Sequence, residues 1–112
     1  MTLHRAILEM GAGNDLHGGD YTKAALRAVQ DALHHSSLSF IRALGIDKDT
    51  LQVDVTIGVQ KPEEVDTDRV KESLPVGKVT VRAVNGGLDV TDANGEDTAV
   101  IASAAVEVRI ER

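Results

Sequence analysis

The sequence predicts an α+β domain, a mixed β-sheet with two helices on one face in the order β-α-β-α-β-β-β. Three patterns carry this. Apolar residues at 21, 24, 25, 28, 29, 32 and 33 follow the i, i+3, i+4, i+7 series of an amphipathic helix. Leu51, Val53, Val55, Ile57 and Val59 alternate with Gln52, Asp54, Thr56 and Gly58, the period of a half-buried strand. In the stretch Thr98 to Glu111, residues Val100, Ala102, Ala104, Val106, Val108 and Ile110 share one face, and Ala99, Ile101 and Ala105 make the start of the other face apolar too. That two-sided pattern marks a central strand. With 112 residues, the chain has the size of one domain spanning 1–112.

Taken in order, Leu3 to Met10 is an apolar run with Leu3, Ile7, Leu8 and Met10 spread over both faces, which reads as an inner strand. Gly11-Ala12-Gly13-Asn14-Asp15-Leu16-His17-Gly18-Gly19-Asp20 holds four glycines in ten residues and is expected to end that strand in a turn needing positive φ or close backbone approach. Asp20 is the natural N-cap of the helix that starts at Tyr21. The buried stripe of that helix is mostly alanine, so it should lie close against a sheet. A short helical segment with Leu38, Phe40, Ile41 and Leu44 is expected to stop at Gly45. Asp66 or Thr67 caps a short helix carrying Val70 and Leu74, ended by Pro75. Gly77 to Val84 reads as a strand, Asn85-Gly86-Gly87 as a hairpin signal, Leu88 to Thr91 as a brief strand, and Asp92 to Asp97 as a polar loop.

Composition narrows the function classes. A net charge of −6, no Lys/Arg run and only Tyr21 and Phe40 as aromatics argue against nucleic acid as a partner. No apolar run approaches the roughly 20 residues of a membrane helix, and Met1 to Arg5 lacks the zones of a signal peptide, so a soluble, cytoplasmic protein is expected. The absence of Cys excludes disulfides, thiolate metal sites and cysteine nucleophiles. Valine and alanine, 14 and 13 residues, dominate the apolar set, against one Phe and no Trp. A core of such small side chains gains little per residue, and subunit association is the usual remedy. A homo-oligomer is therefore expected, because Ala99, Ile101, Ala105 and the Leu51 to Val59 stripe offer more apolar strand surface than two short helices can bury.

The candidate chemistry gathers in the Gly-rich stretch. Asp15 and His17 on a strand-to-helix turn can act as a base and its positioner or as two metal ligands, and the backbone N–H groups of Gly11, Gly13 and Gly18 can hold an anion. The alternative is a purely structural turn in which Asp15 bonds local backbone and His17 is exposed. The spacing is neither a dinucleotide fingerprint, since Leu16 stands where glycine is required, nor a P-loop. Lys23, with Arg27 at i+4, offers a cationic helix face to an anionic ligand. His34 and His35 close the long helix, about 20 Å from Asp15 and His17 along its axis, so a site uniting them would be intersubunit. Ser103, amid alanines, is either a packing residue or a nucleophile. No cofactor or metal is specified.

Gly11-Ala12-Gly13-Asn14-Asp15-Leu16-His17-Gly18 resembles the G-x-G-x-D-x-H-G motif of the Lin family, conserved hypothetical proteins of bacteria and plants. The resemblance continues through Thr22 to Ala25, Arg27 to Val29, His34 to Leu38, Ile57 to Val59, Gly86 to Leu88 and Ala104 to Val108. It implies that Gly11, Gly13, Asp15, His17 and Gly18 act together and carries no activity. The element order is similar to the chorismate-mutase-like architecture, whose trimers with clefts between subunits make a trimer the favoured state here. A fainter likeness joins Gly13-Asn14-Asp15 and Ser103 to Glu107 to ring-opening amidohydrolases of cyclic ureides, which use Ser and Lys pairs. Glu9 and Met10 stand where that lysine is required. The resulting expectations are Asp15 and His17 as catalytic residues, Gly11, Gly13, Gly18, Lys23, His34, His35 and Ser103 as ligand-binding, a small anionic or cyclic-amide ligand, or a non-catalytic assembly protein.

Overall fold

A computed structural model describes residues 2–34, 45–74 and 77–111. Its strands are β1 (Leu3–Asp15), β2 (Gln52–Val59), β3 (Lys78–Asn85), β4 (Leu88–Thr91) and β5 (Thr98–Glu111), and its helices are α1 (Tyr21–His34) and α2 (Thr67–Glu72). The expected order and the mixed sheet are both present. Strands run β1-β5-β2-β3, with β4 pairing β5 beyond the end of β2. Among the described strands only β2 and β3 are parallel, joined by the crossover that contains α2. The segment expected to hold Leu38, Phe40, Ile41 and Leu44, together with His35 and Pro75, lies outside the described residues.

The first correction concerns the glycine stretch. β1 does not end at Met10 but continues through Asp15, and Gly11 and Gly13 sit inside it, paired with Ala104 and Ala102 of β5. Their role is close approach. A β-carbon added to Gly13 would stand 2.2 Å from Ala28 N and 2.5 Å from Ala24 O. One on Gly11 would stand 2.4 Å from Ala32 N and 2.6 Å from Ala28 O. The helix backbone therefore rests on the strand backbone. The spacing fits, because two strand residues advance about 6.8 Å and four helix residues about 6 Å. Gly13 and Gly11 thus step along Ala24, Ala28 and Ala32, all fully buried as the helical pattern predicted.

β1 is also an edge strand rather than an inner one. Its mixed pattern arises because Ile7 faces the helices while Leu8 and Met10 point to the other side, where both are exposed. An edge strand offers unpaired N–H groups to any passing strand. Here Asp31 of α1 reaches over that edge, its Oδ2 accepting from Ala12 N at 2.9 Å.

The second correction concerns Asn85-Gly86-Gly87, which is not a hairpin. β3 is parallel to β2, and β4 and β2 are both antiparallel to β5, so the chain keeps its direction through the glycines. It steps sideways instead, from the β3 lane to the lane β2 has just vacated. Gly86 N bonds Val59 O at 2.9 Å, and a β-carbon on Gly87 would collide with Ile101 O at 2.2 Å. Only residues without a side chain can make this step. Gln60 secures it by donating from Nε2 to Gly86 O and Gly87 O. The true reversal is Asp92 to Asp97, joining β4 to β5.

Both described helices cover one face, with α1 over β1 and β5 and α2 over β3. Beneath them Val53, Val55, Ile57, Val59, Val100, Ala102, Ala104, Val106 and Val108 form the core. The Leu51 to Val59 stripe, expected to exceed what the helices can cover, is fully buried within the chain. The apolar excess lies on the opposite face, which is helix-free among the described residues. Leu8, Met10, Leu88, Val90 and Ile101 are 38–68 % exposed there.

Gly13→Ala is expected to lower stability by roughly 1–3 kcal/mol through overpacking, read as a lower denaturant midpoint. Adding Ala28→Gly does not restore it, because the collision is with the helix backbone. An unchanged midpoint in Gly13→Ala would show that the strand and helix are not in this contact.

Candidate functional site

Because α1 is seated on β1, the loop between them has only Leu16 to Asp20 in which to reverse the chain. Gly18 and Gly19 take positive φ, +94° and +62°. Asp15, the last residue of β1, is 3 % exposed. Its Oδ2 accepts from Asp20 N at 2.9 Å, closing the loop, and its Oδ1 lies 3.6 Å from Lys23 Nζ and 3.9 Å from Arg27 Nη1. Arg27 also donates to Asn14 O at 2.7 Å. Asp20 caps α1, its Oδ1 accepting from Lys23 N at 3.0 Å. The cationic helix face thus turns inward onto Asp15.

His17 is not oriented by Asp15. Its Nδ1 lies 2.8 Å from Oδ2 of Asp97, at the end of the β4–β5 loop. Oδ1 of Asp97 accepts from Gly18 N and Thr98 N, both at 2.9 Å. The Gly18 and His17 hydrogen bonds hold the Asp97 carboxyl below its usual range. Asp97 therefore ties the β1–α1 loop to the β4–β5 hairpin. Tyr21 makes a second tie, its hydroxyl donating to Asp89 Oδ2 of β4. Burial first, then that hydrogen bond and the nearby Asp89, Glu64 and Glu63 charges, push the Tyr21 phenol up to about 12.

Chemically, a histidine fixed at Nδ1 by a carboxylate presents Nε2 as an oriented base. His17 is 86 % exposed at its side chain, and among the described residues no hydroxyl bonds to it. Among the described residues no three His, Asp or Glu side chains form a metal-binding group. His34 lies at the far end of α1, exposed in a shallow groove with Lys23, Arg27 and Asp31. Ser103 lies on the helix-free face between Ala12 and Gly58, on the side of the sheet away from Asp15. So Asp15, Gly18 and Lys23 come together with His17 near by, Gly11 and Gly13 serve the helix seat, and His34 and Ser103 are elsewhere.

A second cluster was not foreseen. On the helix-free face, the cross-strand row Leu8, Glu107, Asp54, Thr80 lies beside the row Met10, Ala105, Thr56, Arg82. With Arg5 and Arg109, all of these but Met10 line a cavity of ≈ 560 Å³. Glu107 Oε2 accepts from Arg5 Nε at 2.7 Å, Glu107 Oε1 pairs with Arg109, and Arg109 Nη1 lies 3.8 Å from Asp54 Oδ2. Burial raises the Glu107 carboxyl, but the Arg5 hydrogen bond and the two arginine charges outweigh it and hold it low. Alternation along each strand was the available signal. The strand pairing that unites the rows was not.

Three outcomes follow from these contacts. Asp15→Ala leaves Asp20 N–H without its acceptor and removes the carboxylate facing Lys23 and Arg27, and is expected to cost roughly 1–3 kcal/mol, read by urea denaturation. Asp97 is depressed in the folded state, so its stabilisation is present above the ordinary value of 3.8 and is lost as pH falls below it. Asp97→Asn should flatten that acid limb. Tyr21 is raised, so its stabilisation is present below the ordinary 10.0 and is lost as pH rises towards about 12. Tyr21→Phe should remove the alkaline loss; the same slope in both proteins would contradict the buried phenol.

Among the described residues no helix is long and apolar enough to cross a membrane. A search of the curated proteins finds no match. Among solved structures, the chain is similar to an FtsZ-like protein of unknown function from Nostoc punctiforme PCC 73102, a 1.22 Å crystal structure. The two are 35 % identical, with a TM-score of 0.86, over 100 % of this chain and 99 % of that one. The model of the Lin0512 family, described as conserved hypothetical protein, matches residues 5–108. The chain belongs to the Lin0512 family.

Proposed function

We propose that this chain is a non-catalytic assembly protein that forms a homo-oligomer through the apolar half of its helix-free sheet face. The observation that carries this reading is the group Met10, Leu88, Val90 and Ile101, each at least 38 % exposed on adjoining strands. Soluble monomers rarely leave a large contiguous apolar patch in water. The small core of valine and alanine adds a reason for association, since each contact between copies supplements a weak interior. The glycine motif fits the same reading, because the structural contacts of Gly11, Gly13, Asp15 and Gly18 account for it without a ligand. A trimer is the state to which the chorismate-mutase-like analogy points.

Light scattering at micromolar concentration tests this. A mass near three times the 11.9 kDa chain is expected, falling to one chain in the double variant Met10→Glu, Val90→Glu. A mass of one chain for the unmodified protein would overturn the proposal.

A second reading, a small-molecule site at the Asp15/His17 turn, is favoured by one feature, the anchoring of His17 Nδ1 that leaves Nε2 facing solvent. A thermal-shift screen with small anions, cyclic amides and divalent metals separates the two, since a ligand stabilises by RT ln(1 + [L]/Kd). A shift lost in His17→Ala supports the turn as a site. A cyclic-amide hydrolase needs a base beside Ser103, whose cross-strand neighbours are Ala12 and Gly58.

A further inference from the structure

We infer that the charged groove on the helix-free face is a binding site for a small organic carboxylate, with Arg82 as the group that takes its two oxygens. The inference goes beyond the assembly reading and rests on different residues, because the apolar half of the face bears the contact and the groove lies at its rim.

Charge arithmetic comes first. In a chain of net charge −6, three of the seven arginines, Arg5, Arg82 and Arg109, line this one cavity with the two carboxylates of Asp54 and Glu107. Those carboxylates are committed to Arg5 and Arg109. Arg82 is the cation left over. Among the described residues no carboxylate reaches it, and its one hydrogen bond runs from Nε to Thr56 Oγ1 at 3.1 Å.

That bond matters for geometry. Holding Nε fixes the plane of the guanidinium and leaves the two terminal nitrogens as a fork, the arrangement that matches a carboxylate bidentately. A lysine there would supply charge without the plane. The Thr80 side chain adds a hydroxyl, while Leu8 and Ala105 give the wall an apolar part. The ≈ 560 Å³ volume suits a small molecule, within the 300–1,000 Å³ usual for ligand pockets. Arg5, Arg109, Glu107 and Asp54 form a wall of two cations and two carboxylates that neutralise one another, so the net positive charge is concentrated at Arg82.

The test is a ¹⁵N NMR titration of the unmodified protein with benzoate, with inorganic phosphate as a parallel arm. Saturable shifts at Arg82 Nε–Hε and at the Thr56 and Ala105 amides are expected with benzoate. Arg82→Gln should weaken that binding at least tenfold with its thermal midpoint unchanged, and Arg69→Gln, on α2, should leave it intact. Absence of saturable shifts, full binding by Arg82→Gln, or equal shifts with phosphate, which would mean charge alone, would each overturn the inference. The oligomer mass is measured separately, so either proposal can fail without the other.

Discussion

Gly11 and Gly13 admit the α1 backbone to within contact of the β1 backbone, and the rest of the molecule is arranged around that seam. At both positions a single added carbon would overlap helix backbone atoms by more than any side-chain movement can relieve. The seam works only because the other partner is equally small, with Ala24, Ala28 and Ala32 presenting one methyl per turn. Close approach raises dispersion contact where large side chains are absent. It also brings Asp15 beneath Lys23 and Arg27, leaves five residues for the loop, and lets Asp31 guard the β1 edge.

The glycine motif, read as chemistry, becomes a set of mechanical parts. Asp15 closes the loop, Gly18 turns it, and His17 with Gly18 fastens it to Asp97, 80 residues away from His17 in sequence. The loop, α1 and the β4–β5 hairpin are thereby joined at one end of the sheet, with Tyr21 and Asp89 as a second fastening. Such a rigid end leaves the opposite face free to carry contacts. That face is divided, apolar towards β4 and charged towards the Arg5, Arg82 and Arg109 end.

Much of the fold was legible because period alone marks it. The alternation from Leu51, the helical series from Tyr21 and the two-sided Thr98 to Glu111 run each became the expected element, as did the caps Asp20 and Asp66. The glycines were expected to need positive φ or close approach, and what failed was their placement in a turn and a hairpin, because glycine carries two signals. It signals freedom of φ and absence of volume equally well; in Gly11, Gly13 and Gly86 absence of volume decided the outcome, and Gly87 needs both. Alanine at 24, 28 and 32, matched in step with Gly11 and Gly13, was the available clue. Long-range partners had no such clue: nothing in spacing links His17 to Asp97 or Arg82 to Thr56, which meet only through strand pairing.

The seam makes α1, β1 and β5 one cooperative unit, and native-state hydrogen exchange measures that directly. Amides of Ala25 to Val29 in α1 and of Ala102 to Val108 in β5 should exchange with one common opening free energy, equal to that of global unfolding by denaturant. Exchange of the α1 amides through a separate opening several kcal/mol cheaper would mean that the helix lifts off its strand, contradicting the seam as the constraint on which the fold depends.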